Sequence, residues 1–161
     1  MAQMIWVTIT GVRQGKFTSD ITRKGFEGKI DVINYTDSIS VPTDGASGLP
    51  TGRRQHSPIS ITKHIDKTSP LLANAAYTNE NLSSVKFEFV RPTPTLGGTV
   101  GEKVFFTIEL TNSNIISLTR SMTGDARTES LELTFEKITI TYVEGGIQAD
   151  DDWSSGLGNQ G

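Results

Sequence analysis

The chain has 161 residues, one domain's worth, and is long enough to bury a core without disulfides or a structural metal. Its 15 basic and 18 acidic side chains leave a net charge of −3, which gives no general electrostatic pull toward nucleic acid or anionic membrane. Cysteine is absent, which excludes a disulfide framework, a thiolate metal site and a cysteine nucleophile.

The first residues, Met1 to Thr8, carry no basic segment and their apolar run breaks at Thr8. They read as a strand rather than a signal peptide. No stretch approaches the ~20 apolar residues of a membrane helix. The expectation is synthesis in the cytoplasm, with any export by a leaderless route. Ile5, Val7 and Ile9 alternate with Trp6, Thr8 and Thr10 up to Gly11, a strand pattern. From Phe26 to Tyr35, Ile30 and Val32 fall on one face and Ile33 and Tyr35 on the other, so both faces are expected to meet protein. Ser38 to Val41 reads as a short strand ended by Pro42. Residues 42–55 follow as an extended loop, with three glycines and two prolines between Pro42 and Gly52. A loop of that length inside a small domain points to function or mobility. Ile59, Ile61 and Ile65 then alternate with Ser60, Thr62 and His64, a half-buried strand.

Thr68-Ser69-Pro70 starts the one convincing helix, with Ser69 placed to cap it and Pro70 at the first helical position. Leu71, Leu72, Ala75 and Ala76 form its apolar stripe, which fails near Thr78-Asn79. Strands return with Val85, Phe87 and Phe89 inward, ended by Pro92-Thr93-Pro94. Val104, Phe106, Ile108 and Leu110 alternate next, and Ile115 to Met122 reads as a further strand. In the last run, Leu131 to Tyr142, the apolar set is odd-numbered through Phe135 and even-numbered from Ile138. A one-residue slip exchanges the faces of a strand, so a β-bulge or bend is expected near Glu136-Lys137. Such a bend lets one strand serve two sheets of a barrel or sandwich. Residues 145–161, rich in Gly, Asp, Ser and Asn, read as a C-terminal extension with little core of its own.

Candidate chemistry is sparse. His56 and His64 are the only histidines, and a spacing of eight matches no ligand geometry. If Ser57 to Ile65 is a strand, both read as partly exposed residues of its polar face. Asp150-Asp151-Asp152 has no EF-hand spacing and reads as a solvated acidic turn. Arg53-Arg54 has the chemistry to grip a phosphate or carboxylate, but in a glycine-flanked loop a pair of surface charges at a subunit contact is favoured. There is no G-x-S-x-G elbow, phosphate loop or H-E-x-x-H helix. The expectation is a protein that is not an enzyme, with no catalytic residue, cofactor or metal. Strand positions opposite the core are Thr, Ser and Asn more than Lys, which leaves edges open to pairing with neighbours.

Three segments carry a resemblance: Val41-Pro42-Thr43-Asp44, Thr51-Gly52-Arg53-Arg54-Gln55-His56-Ser57-Pro58-Ile59, and Thr62-Lys63-His64-Ile65-Asp66-Lys67-Thr68-Ser69-Pro70-Leu71-Leu72. With Leu131 to Tyr142, Glu144-Gly145-Gly146-Ile147 and Trp153, they resemble the Hcp family, the haemolysin-coregulated proteins of the type VI secretion inner tube. The likeness runs in order from Met4 to Trp153. It departs at His64, where members of the family often have an acidic residue.

The resemblance implies a single Hcp-like domain over 1–161. It is mainly β, a small β-barrel of two packed sheets with one short flanking α-helix, similar to phage tail tubes. It further implies a homohexameric ring, rings stacked into a tube, a spike protein at the tip, a contractile sheath around it, and secreted effectors carried in the lumen. The protein would be cytoplasmic before firing and secreted afterwards, without nucleic acid or membrane insertion. The loop after the second strand region contacts neighbouring protein in that family. Thr43, Asp44, Leu49, Thr51, Arg53, Arg54 and Gln55 are therefore candidates for subunit contact. Ser60, Thr62 and His64 are candidates for the lumen face. A phage or tailocin tube protein is the nearest alternative, and a toxin or other enzyme is less favoured.

Overall fold

The computed structural model describes residues 4–94 and 100–152, so Trp153 and the end of the C-terminal extension lie outside the described residues. β1 (Met4–Gly11) pairs antiparallel with β2 (Gly15–Phe17), β3 (Ile30–Thr36) and β7 (Leu82–Pro94). β3 continues to β6 (Ile59–His64), β6 to β9 (Ala126–Tyr142), β9 to β8 (Val100–Thr123), and β8 back to β7. The ladder thus returns to its start as one wrapped sheet with two facing layers. It is barrel-like rather than evenly closed. β1 meets β3 only from Ile5 to Val7, and β6 covers only the first part of β9 while β10 (Ile147–Asp152) takes the second. The mainly β expectation holds, and the single helix α1 (Ser69–Thr78) flanks β8.

The main core fills the space inside this circuit. Val7, Ile9, Ile30, Ile59, Val85, Phe87, Leu110, Leu131 and Leu133 all come from its inner face. Tyr35 stacks edge-on to both Phe87 and Phe89. A smaller cluster lies on the opposite face of β1, where Trp6 stacks on Phe26 at 5.0 Å and packs with Val90.

Three irregularities explain where simple alternation fails. In β3 the register slips between Val32 and Asn34, so Ile33 is the extra residue and stays half exposed. Tyr35 therefore opposes Ile61 on the core side instead of sharing a face with Ile33. In β8 the slip opposite Phe89 and Val90 makes Phe105 the extra residue. Phe106 joins the main core, whereas Val104, two residues earlier, packs on the Trp6 cluster.

The third irregularity sits where the change of phase in Leu131 to Tyr142 places it. Buried positions switch from Phe135 to Ile138 in β9 and from Leu110 to Ser113 in β8. The two strands turn over together: Thr111 still opposes Lys137 and Ser113 still opposes Phe135, so no residue is inserted there. Asn112 takes a left-handed φ of 54° and its side-chain amide donates to Glu136 Oε2 at 2.8 Å. The inserted residue is Ile116, further along β8. At this bend β9 exchanges β6 for β10 as its partner.

β7 includes Pro92 and ends at Pro94, within the Pro92-Thr93-Pro94 segment expected to close it, while β8 is one strand where two were expected. α1 does begin at Ser69-Pro70, but no side chain caps it. The Ser69 hydroxyl instead donates to Glu129 and accepts from the Asp66 amide.

Candidate assembly surface

Residues 42–55 form an ordered arm rather than an open loop. β4 (Ile39–Ser40) pairs with β5 (Gln55–His56), and further out Thr43 bridges to Pro50. The Thr51 amide donates to Pro42 O, the Asp44 amide to Leu49 O and the Gly48 amide to Asp44 O, each at 2.8 Å. Gly48 has φ +73°, a conformation that suits glycine at this turn. The Asp44 carboxylate accepts from the Ser47 hydroxyl and the Ala46 amide, in that order the causes that hold its pKa below the usual range. Thr43, Asp44, Leu49, Thr51, Arg53 and Gln55 are exposed, Leu49 by 65%. Pre-ordering of an exposed arm lowers the entropy lost when a partner takes it.

Arg54 does something else. Its Nε lies 2.5 Å from Asp151 Oδ2, and its Nη2 donates to the Asp152 carbonyl at 2.8 Å. His56 Nε2 lies 2.6 Å from the same Asp151 oxygen, and its ring meets Phe135 edge-on at 5.1 Å. The hydrogen bond from Arg54 is the main reason the Asp151 pKa is held low. Burial opposes it and His56 adds to it. The same bond pushes the Arg54 pKa up.

Arg54 thus bonds within its own chain, and two expectations are corrected here. His56 belongs to β5 and faces Phe135 and Asp151, so it does not share the polar face of β6 with His64. Asp150-Asp151-Asp152 is not a solvated turn but part of β10, with Asp150 also 3.5 Å from Lys137. A proline- and glycine-rich loop gave no sign that its far leg would be tied to a strand about a hundred residues later in sequence.

Beside this anchor lies a groove of about 470 Å3. Ile39, Ile138, Ile140 and Ala149 make it apolar, and Asp37 and Asp150 lie along it. Ser60 and Thr62 are half-buried and His64 is exposed, all on the outer face of β6, as the alternation implies. Thr62 and Ser130 share a hydroxyl contact at 3.2 Å across the ladder. Sequence reasoning missed what lies behind them: Lys63 and Glu129 point inward and form a buried ion pair. The signal was present, because both occupy inward positions of alternating strands, between Ile61 and the helix and before Leu131. Among the described residues, no group of His, Asp and Glu is placed to hold a metal ion, and no helix is long and apolar enough to cross a membrane.

A small barrel-like β fold carrying an anchored, exposed arm is the class that this geometry defines. Residues 6–142 match the family described as type VI secretion system effector, Hcp, and the chain belongs to that family. It is 33% identical to a "major exported protein" of Pseudomonas aeruginosa PAO1, over 96% of this chain and 98% of that relative. Among solved structures, Hcp1 of the Escherichia coli EAEC 042 pathovar is 30% identical with a TM-score of 0.82, covering 94% of this chain and 99% of the other. The secreted protein Hcp3 of P. aeruginosa is 28% identical with a TM-score of 0.78, covering 96% and 100%. The chain is thus a member of a secretion-system family and not of an enzyme family.

Proposed function

We propose that this chain is the tube subunit of a type VI secretion system, closing into six-membered rings that stack and are themselves secreted. The observation that carries this reading is the arm, ordered by its own hydrogen bonds yet exposed along residues 41–53 of an Hcp-family chain. An arm held out in this way is suited to a contact between copies. Identical subunits joined by a heterologous contact close into a ring when the rotation allows, while ring-on-ring contacts stay open and propagate. Each contact can be modest because a tube repeats it many times. A wet, polar contact also separates more readily after export than a greasy one.

The outer face of β6, with Ser60, Thr62 and His64, is the surface we assign to the lumen, where small effectors would travel. A spike protein at the tip and a contractile sheath complete the apparatus. Export of the folded protein by that apparatus is the matching route, and the relative named as a major exported protein supports it. Negative-stain images of the purified protein test the reading. Rings with six-fold symmetry, alone or in short stacks, are expected, and uniformly monomeric particles at micromolar concentration would oppose it.

A further inference from the structure

The turn between β1 and β2 lies along α1. Gln14 Nε2 donates to the Leu71 carbonyl at 3.1 Å, and Arg13 Nη2 donates to the Thr78 carbonyl at 3.4 Å. The Val12 amide donates to the Asn81 carbonyl, just beyond the helix, at 3.0 Å. Helix and turn thus form one surface, on which Tyr77 is 77% and Val12 60% exposed.

The solvent side of a surface helix ordinarily carries charged side chains. α1 has no charged residue at all from Ser69 to Thr78, and its exposed positions are Pro70, Asn74, Tyr77 and Thr78. Leu72 and Ala75 hold the other side of the helix in the main core, which keeps Tyr77 on the solvent side. An exposed tyrosine on a face without Lys or Glu has the composition of an interface, where aromatic residues are enriched and those two are depleted.

The charges around this face agree in sign. Within residues 12–16 and 67–79 the exposed charged side chains are Arg13, Lys16 and Lys67. All three are cations, in a chain whose net charge is −3. A local excess of one sign favours a partner of the other and steers its approach.

Position narrows the choice further. The Ser69 hydroxyl reaches Glu129 Oε1 at 2.7 Å on the inner face of β9, while Ser130, the next residue, meets Thr62 on the outer face. α1 therefore lies behind the face assigned to the lumen, and its exposed side looks away from any cargo.

We propose that Tyr77 and Val12 are the apolar centre of a docking surface for an acidic protein segment outside the ring. Arg13, Lys16 and Lys67 meet the carboxylates of that segment. This rests on the tube reading above, in which the sheath is what surrounds the ring. Charge pairs at an exposed rim are weakened by salt, so such a contact holds the tube and still releases it.

Photocrosslinking of the full chain, in cells that carry the secretion apparatus, tests this. Tyr77→p-benzoylphenylalanine is irradiated and its adducts are identified by mass spectrometry, with His64→p-benzoylphenylalanine on the assigned lumen face as the control. A covalent adduct with the sheath subunit is expected from position 77 and not from position 64. No sheath adduct from position 77, adducts there only with a second copy of this chain, or equal sheath adducts from both positions would overturn the proposal. Adding Lys16→Glu and Lys67→Glu, both at exposed positions, should lower the adduct several-fold while native mass shows the ring unchanged. An undiminished adduct would overturn the acidic partner. Failure of the parent protein to form rings speaks against the proposed function, whereas intact rings without the adduct speak against this surface alone.

Discussion

Lys63 Nζ lies 2.6 Å from Glu129 Oε1, and both side chains are fully buried. The ammonium uses all three donors, to Glu129, to the His64 carbonyl at 2.8 Å and to Asp66 Oδ1 at 3.1 Å. Glu129 Oε1 also accepts from Ser69, and Arg120 Nε stands 3.5 Å from its other oxygen. Asp66 in turn accepts from the Thr68 amide and hydroxyl. This network ties the end of β6, the turn and the first residue of α1 to β9. It is the physical reason for Lys63, Asp66, Thr68 and Ser69 appearing together in one run of sequence.

Removing one member of such a pair strips the other of its nearest counter-charge, although Lys63 would keep Asp66 at 3.1 Å. Glu129→Leu is expected to destabilise the chain by about 3 kcal/mol, the lower end of what breaking a buried ion pair costs. Lys63→Met combined with Glu129→Leu should recover most of that loss. Urea denaturation midpoints of the three proteins check this, and equal losses in the single and double variants would contradict it.

Gly11 closes β1 against Glu80, and a Cβ at that position would collide with Glu80 Oε2. Burial alone would raise the Glu80 pKa. The Gln14 and Arg13 amides and the Gln14 side chain, all bonded to its carboxylate, outweigh burial and hold it below the usual range. Gly11→Ala should therefore displace a satisfied buried carboxylate and cost about 1–3 kcal/mol, the range for overpacking. Thermal melts of the two proteins would show it, and an unchanged Tm would contradict it.

The Asp151 anchor responds to acid in a defined direction. Its folded pKa is lower than the unfolded value, so its stabilisation is complete above the ordinary carboxylate range and is lost as pH falls through the lowered folded value. Arg54, His56 and Asp150 are the other titratable groups close to it. At neutral pH the arm should be held. Under strong acid, or in Asp151→Asn at any pH, its base should be cut sooner by protease. Digestion near Arg53-Arg54 across a pH series measures this with a protease active throughout, and identical rates for both proteins at pH 7 would contradict it.

Deleting Gly45 to Pro50 removes exposed residues whose hydrogen bonds lie within the arm. Folding stability should stay within about 0.5 kcal/mol, as for surface changes away from special features. Stacking should fail while single rings persist, and sedimentation resolves the two. Unfolding of the deleted protein would show that the arm belongs to the core.

Much of the fold was legible because half-buried strands alternate. β1, β6 and β9 could be read from single residues such as Ile9, Ile61 and Leu133. The change of phase between Phe135 and Ile138 even located a bend. Its cause was not legible, because it depends on Asn112 in the opposing strand. Alternation likewise misled at Val104 and at Tyr35, where one extra residue in a ladder, Phe105 or Ile33, exchanges the faces. The candidate surface was legible in part. Composition marked the arm, but its order comes from hydrogen bonds such as Asp44 to Leu49. Its anchor joins Arg54 to Asp151 across a distance in sequence that no local pattern bridges.

The central claim is that this chain works by forming rings of six. Native mass spectrometry of the wild-type protein at micromolar concentration tests it most directly. The account predicts a dominant species of six chains, with multiples of six as concentration rises. A single-chain mass at every concentration and salt would contradict it.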